Sequence, residues 1–574
     1  MTGTHQLPEH LRQFVVSQNY AAYTVEDQAV WRYVLLQTYE RHLRSAHPAY
    51  AAGFAAAGIS VEQIPSLARM NERLSEHAFE AVCVDGFIPP RAFQAFQARG
   101  FLPIAADIRT SRHLAYTPAP DIIHEAAGHA PFLAHPDYAR YLRRIGSIGE
   151  KAFASAHDRA MYEAIYLLSE LKEDPSATAA QIALGEGRVA ELSRQPGAIS
   201  EAARLARLYW WTVEYGLVGS LADYRLYGAG LLSSIGEGHF CHDSAVTKLP
   251  LGAACVETTY DITQPQPQLF VARDFDHLSE VLDEVVRGFA FQVGGSYALE
   301  QALSSGEPAT LELPSGLQIV GTVTDLQREA DTIVAVTLAG GCATALLDHV
   351  LPELPRPNRY VLPLGAVLDG PPLSEMSPKL LQAHSDEHGH LRLRLTHGLE
   401  LRGRVLRVIE KGGRVQLALF AALTITRNGQ LLLQTLEPYP WLLADRVLTA
   451  HACPPQGFYP ATEFAHTQVP KARNVSAQQR DLLDLYERAL STVRECFGAG
   501  VVPRFEAIHR DLCERHPDEW LLRWNLLESL VKLGGQGPAL GSQLSSELEQ
   551  LELRYLQREP IATGLAYLRA IGLT

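Results

Sequence analysis

From about residue 25 to 300 the chain carries apolar residues at helical spacing. Trp31, Val34 and Leu35 fall on one helix face, and EAARLARLYWWTVEYGLVGSL sustains the period over many turns, so this region is expected to be mostly helical. After SSGEP, residues 304–308, the period changes to two. TLELPSGLQIVGTV and RLRLTHGLELRGRV alternate apolar and polar positions as half-buried strands do. Leu311, Leu313, Gly316, Leu317, Ile319, Gly321 and Val323 recur 82 positions later as Leu393, Leu395, Gly398, Leu399, Leu401, Gly403 and Val405, which predicts a duplicated β unit. A Pro-rich stretch from Cys453 to Pro470 breaks the regularity, and Ser476 can cap a helical tail of four or five amphipathic helices. The expected layout is a helical domain over 1–303 with an insertion at about 150–197, a β-rich domain over 304–452, a linker over 453–475 and a helical domain over 476–574. A chain ending near Ser304 is expected to fold alone.

A length of 574 residues and 47% hydrophobic content suit a globular, multidomain protein. The net charge of −14 has no Lys/Arg run within it, so nucleic acid is not an expected partner. No apolar run is long enough to span a bilayer, and MTGTHQLPEH lacks a signal-peptide pattern, so a cytoplasmic location is expected. Seven scattered cysteines without a C-x-x-C pair indicate reduced thiols. WLLRWNLLESL in the tail has a Trp/Leu stripe that suits core packing or self-association.

The stretch HEAAGH, residues 124–129, resembles a miscounted H-E-x-x-H zinc signature. On a regular helix the five-residue spacing would swing His129 about 140° from His124. Gly128 before it suggests that the helix distorts or ends there. Asp121 is placed to cap this helix. Glu214, in the apolar helix RLYWWTVEYGL, must pair or bind a metal if buried; Arg204 and Arg225 are the candidate ion-pair partners. Two imidazoles and one carboxylate suit a non-haem iron site with open positions. A zinc hydrolase using Glu125 as base, and a non-catalytic metal-binding scaffold or regulator, remain as alternatives.

PDIIHEAAGH, LYWWTVEYGL and YGAGLLSSIGE together resemble the signature blocks of the pterin-dependent aromatic amino acid hydroxylases, in the family's order, over roughly residues 25–300. The resemblance implies that family's helical catalytic fold and a monooxygenase using O₂, Fe(II) and a tetrahydropterin such as tetrahydrobiopterin. It implies His124, His129 and Glu214 as iron ligands and Arg109 as the partner of the substrate carboxylate. Thr117, Pro120, Trp210, Ser233, Tyr260 and Ile262 would line the amino-acid pocket. Gly86, Phe87, Ile88, Phe93, Glu125 and Tyr209 would meet the pterin. Pro103 replaces a histidine common in animal members, and the His129-to-Glu214 gap is longer than usual. Ile262 and Trp210 favour L-phenylalanine, hydroxylated to L-tyrosine, over tyrosine or tryptophan.

Overall fold

Helix α1, Val25–Ser45, starts where Thr24 and Asp27 cap each other: the Thr24 hydroxyl accepts the Asp27 amide at 3.1 Å and the Asp27 carboxylate accepts the Thr24 amide at 2.8 Å. Its apolar residues are not confined to one stripe. Val30, Trp31, Tyr33, Val34 and Leu35 are all at most 1% exposed, so α1 is covered on several sides. The covering explains much of the architecture.

The computed structural model describes residues 7–86, 88–111, 114, 121–173, 177–194, 197–260, 264–458, 476–495, 500–554 and 559–572. The chain forms two compact units, neither continuous in sequence. The first contains residues 1–146, 207–281 and 467–574, and the second contains 147–206 and 282–466.

In the first unit, strands β1 (Glu80–Val84) and β2 (Phe101–Ala105) pair in parallel. Strands β3 (Leu217–Gly219), β4 (Tyr224–Leu226), β5 (Thr247–Pro250) and β6 (Gln268–Ala272) form a sheet in the order β4-β3-β6-β5. These strands of three to five residues are too short for period-two alternation to stand out, and the helical reading of this region missed them. The short helix α2, Ala229–Ser233, follows β4 and is buried throughout. The tail contributes α3 (Ala477–Glu495), α4 (Val501–Arg515), α5 (Leu521–Lys532), α6 (Pro538–Arg554) and α7 (Glu559–Ile571).

The tail helices close over α1. Tyr33 meets Trp520 and Trp524 edge to face at 5.2 and 4.7 Å, and its hydroxyl donates to the Pro560 carbonyl. Arg32 forms a two-pronged ion pair with Glu528 at 2.9 and 2.7 Å, and the Glu528 side chain is 2% exposed. The Trp/Leu stripe of α5 is thus spent inside the unit, where Leu521, Leu522, Trp524, Leu526 and Leu527 are buried.

The second unit holds two sheets built alike. Strands β7 (Pro308–Glu312), β8 (Leu317–Glu329) and β9 (Thr332–Leu346) join β10 (His349–Val350), β11 (Arg359–Pro363) and β17 (Thr449–His451). Strands β12 (His390–Arg394), β13 (Leu399–Lys411) and β14 (Arg414–Arg427) join β15 (Gln430–Thr435) and β16 (Tyr439–Leu442). The pairing repeats at the 82-residue offset: Thr310 faces Val320 as Arg392 faces Arg402, and Glu312 faces Gln318 as Arg394 faces Glu400. The inner faces share one core containing Leu311, Ile319, Leu338, Leu393, Leu401, Phe420 and Trp441. Tyr360 of β11 and Tyr439 of β16 stack at its centre, 5.0 Å apart. The Tyr360 hydroxyl accepts the Leu442 amide, and the Tyr439 hydroxyl accepts the Val361 amide.

These contacts revise the expectation that a chain ending near Ser304 would fold alone, because it would leave Tyr33 and Arg32 uncovered. Such a truncation is expected to be insoluble or partly unfolded, as circular dichroism and sedimentation would read. Glu528→Ala in the full chain should cost about 1.5–3 kcal/mol, since it removes the charged acceptor shared by Arg32 and Lys532, although Arg32 keeps Glu62. Glu549→Ala, which removes an exposed pair with Arg569, should cost no more than about 0.5 kcal/mol. Chemical denaturation of the two variants against the parent distinguishes these outcomes.

Candidate metal centre

The five-residue spacing of the histidines is resolved by the backbone. Residues Ile123–His129 form a π-helix, and its i→i+5 bonding continues as the Ala130 amide donates to the Glu125 carbonyl. The wider turn brings residues five apart onto one face. The distortion expected at Gly128 is therefore a π-turn, not a helix end. A second π-helix, Trp210–Glu214, carries the carboxylate, with the Tyr215 amide donating to the Trp210 carbonyl at 2.8 Å.

Close packing holds the two π-helices and α2 together. A Cβ on Gly128 would lie 2.7 Å from the Ala229 carbonyl oxygen, and one on Gly228 would lie 2.4 Å from that of Glu214. Neither contact leaves room for a side chain.

Three donor atoms converge as a result. His124 Nε2 lies 3.2 Å from His129 Nε2 and 3.2 Å from Glu214 Oε2, and His129 Nε2 lies 3.3 Å from Glu214 Oε1. Edges of this length suit one ion held at about 2.1 Å by three adjacent positions of an octahedron. The cluster could hold a metal ion. Glu214 is spent on the histidines and not on an arginine; Arg225 instead approaches Asp223 and the Arg44 carbonyl.

The Ser233 hydroxyl donates to the Ala229 carbonyl at 2.8 Å, so toward His124 Nδ1, 3.0 Å away, it can only accept. That fixes the proton on Nδ1 and leaves Nε2 as the lone-pair nitrogen for a metal. His42 of α1 meets the Leu232 carbonyl at 3.0 Å and steadies the end of α2. Asp121 accepts the His124 amide at 3.0 Å, as a cap should, and also grips Arg109 through Nε and Nη2, both at 2.8 Å. With Nη1 directed to the Ser233 carbonyl at 3.3 Å, all three guanidinium nitrogens of Arg109 have partners, and its side chain is 2% exposed. The role of Asp121 as the arginine's anchor was not legible in the sequence; a carboxylate twelve residues from an arginine carries no signal until the chain folds back.

The aromatic wall is continuous. Trp210 stacks on Tyr260 at 4.3 Å and 9°, and on Tyr215 at 4.6 Å. Phe93 meets Tyr209 edge to face at 6.2 Å, and Gln97 donates to the Tyr209 hydroxyl at 2.6 Å. Gly86 and Ile88 follow β1, and among the described residues no hydrogen bond or ring contact joins them to the triad. Phe87, Thr117, Pro120 and Ile262 lie outside the described residues. Glu125 is 4% exposed, 3.8 Å from His129 Nε2, and its Oε2 has no hydrogen-bond partner; Trp210 Nε1 has none either. Such orphaned buried atoms fit a site made to receive a polar group.

Burial alone would lower the His124 imidazole, but the Glu214 carboxylate outweighs it and holds His124 up at about 9. Burial likewise acts upward on Glu214, and His129 and His124 overcome it, keeping this carboxyl well below the usual range. Burial raises Glu125 against the pull of both histidines.

A metal must displace the His124 proton. In the metal-free protein that proton's stabilising pairing is complete below about pH 6.5 and is lost as pH rises through about 9. Metal affinity is therefore expected to rise up to about tenfold per pH unit until about 9, with close to one proton released per ion at pH 7. Calorimetric titration of Fe(II), or of Co(II) as a stable probe, in buffers of different ionisation enthalpy reads both quantities. Gly128→Ala should abolish high-affinity binding in the same titration.

The model of the family described as biopterin-dependent aromatic amino acid hydroxylase matches residues 15–166 and 186–318, passing over part of the segment read as inserted. The phenylalanine-4-hydroxylase of Chromobacterium violaceum is 27% identical over 240 residues, covering 42% of this chain and 66% of that protein. That of Caulobacter vibrioides is 27% identical over 277 residues, covering 47% and 75%. A crystal structure of the Chromobacterium violaceum enzyme with iron(III) and oxidised 7,8-dihydrobiopterin is 25% identical, covers 48% of this chain and 85% of its own, and has a TM-score of 0.37. The chain belongs to the biopterin-dependent aromatic amino acid hydroxylases, a family of pterin-dependent iron monooxygenases.

Proposed function

We propose that this protein hydroxylates L-phenylalanine to L-tyrosine with O₂, with His124, His129 and Glu214 as the iron ligands. The convergence of these three donors on two π-helices carries the reading. When bound, Fe(II) and the tetrahydropterin supply the electrons and the activation of O₂.

The chain's own part is placement and dryness. Arg109 takes the substrate carboxylate, held in plane by Asp121. Trp210, sandwiched between Tyr260 and Tyr215, anchors the aromatic side of the amino-acid pocket. Ser233 holds the His124 tautomer, and Glu125 offers an unpaired carboxyl oxygen to the pterin side, where Phe93 and Tyr209 meet. On the family resemblance, Thr117, Pro120 and Ile262 are assigned to the amino acid and Gly86, Phe87 and Ile88 to the pterin.

The finer organisation belongs to the same reading: a catalytic region over 1–303, a duplicated β domain over 304–452 and a helical domain over 476–574 that completes the catalytic unit. No helix among the described residues is long and apolar enough to cross a membrane, which supports a cytoplasmic location. Self-association through the tail would use exposed Leu490, Val493 and Leu553, since the Trp face is covered.

Aerobic assay with Fe(II), tetrahydropterin and each aromatic amino acid is expected to give tyrosine from phenylalanine with the highest kcat/KM. The preference should be modest, since apolar pockets separate similar rings by about 1–3 kcal/mol. A higher value for tyrosine or tryptophan would overturn the substrate choice. Glu214→Ala should keep the fold by circular dichroism and lose the iron together with nearly all turnover. Asp121→Asn should raise KM for the amino acid, because Arg109 loses its charged anchor.

A further inference from the structure

The duplication supplies an internal control. The first hairpins of the two copies, β7–β8 and β12–β13, share strand lengths and register, so a difference at matched positions there is not demanded by the fold. The charges differ almost completely. Between residues 378 and 435 nine Lys/Arg stand against four Asp/Glu; in the matched window 296–353 one Arg stands against eight Asp/Glu. Arg392, Arg394, Arg402, Arg404, Arg407, Lys411 and Arg414 correspond to Thr310, Glu312, Val320, Thr322, Asp325, Glu329 and Thr332.

The outer faces also differ in what covers them. In the first copy this face is closed by the chain itself, where Val320, Ala343, Ala345 and Val350 pack with Phe458. In the second copy it is an open trough of about 870 Å³, lined among others by His384, His390, Arg392, Arg402, Arg404 and Gln434.

Two guanidinium groups stand directly opposite across its strands, Arg392 facing Arg402, and the His390 ring faces Arg404. A pair of like charges destabilises a sheet unless something neutralises it. Glu400 is shared between Arg392 at 2.6 Å and Arg402 at 3.0 Å, and Asp386 takes His390 at 3.1 Å. Among the described residues no carboxylate or other acceptor lies within hydrogen-bond distance of the Arg404 side chain, so the trough, which Asp386 also lines, keeps an excess of positive charge. Thr424 and Gln434, opposite each other on β14 and β15, add neutral hydrogen-bonding groups beside Arg402.

We propose that this trough binds a small ligand bearing two or more oxyanion groups, carboxylate or phosphate, between Arg392, Arg402 and Arg404. Its size falls within the range of small-molecule sites. Guanidinium forks facing each other across two strands match the planar, two-pronged geometry of such groups.

The first copy dictates the test variant. Arg392→Thr/Arg404→Thr installs residues with which the same framework already folds, so loss of binding reports the charges. Pyrophosphate and citrate, the phosphate and carboxylate arms, are titrated calorimetrically into the full-length protein at fixed ionic strength. Saturable one-to-one binding of either is expected, at least tenfold weaker in the double variant, with phenylalanine hydroxylation and melting temperature unchanged. Which probe binds more tightly identifies the oxyanion. Absence of saturable binding by both, or binding that the double variant leaves intact, overturns the proposal. So does an arginine-dependent interaction confined to single-stranded DNA, polyglutamate or anionic vesicles, which would make the trough a macromolecular surface.

Discussion

A carboxylate buried between two imidazoles is the constraint on which the first unit depends. Glu214 cannot sit in an apolar helix without compensation, and among the described residues His124 and His129 provide it. Meeting that demand requires two turns of π-helix, each an irregularity that an isolated helix would not choose. The π-turns in turn require Gly128 and Gly228, because α2 presses against both. Ser233 then comes from α2 to set the His124 tautomer, and α1 holds the end of α2 through His42. The irregular turns at the centre are thus supported by packing that spreads outward through the unit.

The three converging donors were legible because each breaks its surroundings: a glutamate among tryptophans, and histidines at a spacing that no regular helix makes useful. Gly128 even marked where the helix must deform. What could not be read was whatever joins distant parts of the chain. The Asp121 grip on Arg109, the Gln97–Tyr209 bond and the cover over Tyr33 have no local periodicity to betray them. The small strands of the first unit failed for another reason, since three to five residues cannot display alternation against helical neighbours.

The charge of the second β copy escaped for a related reason. Its arginines alternate with leucines in RLRL and LRGRV, so they read as the wet side of strands and never as a basic run. Folding places them on one face and adds those of the partner strand. A net charge of −14 describes the chain as a whole and conceals this. Comparison of the two copies recovers it, because duplication separates what the framework needs from what one copy has acquired.

The interleaving of the two units bears on how the protein comes into being at the ribosome. Tyr33 and Arg32 are made early, yet their partners Pro560 and Glu528 lie 527 and 496 residues away. During synthesis α1 must wait, with a buried-type surface exposed, while the whole second unit emerges and folds. Contacts of such separation are slow to close and leave sticky intermediates in the meantime. A nascent chain of this kind is a natural client for chaperones.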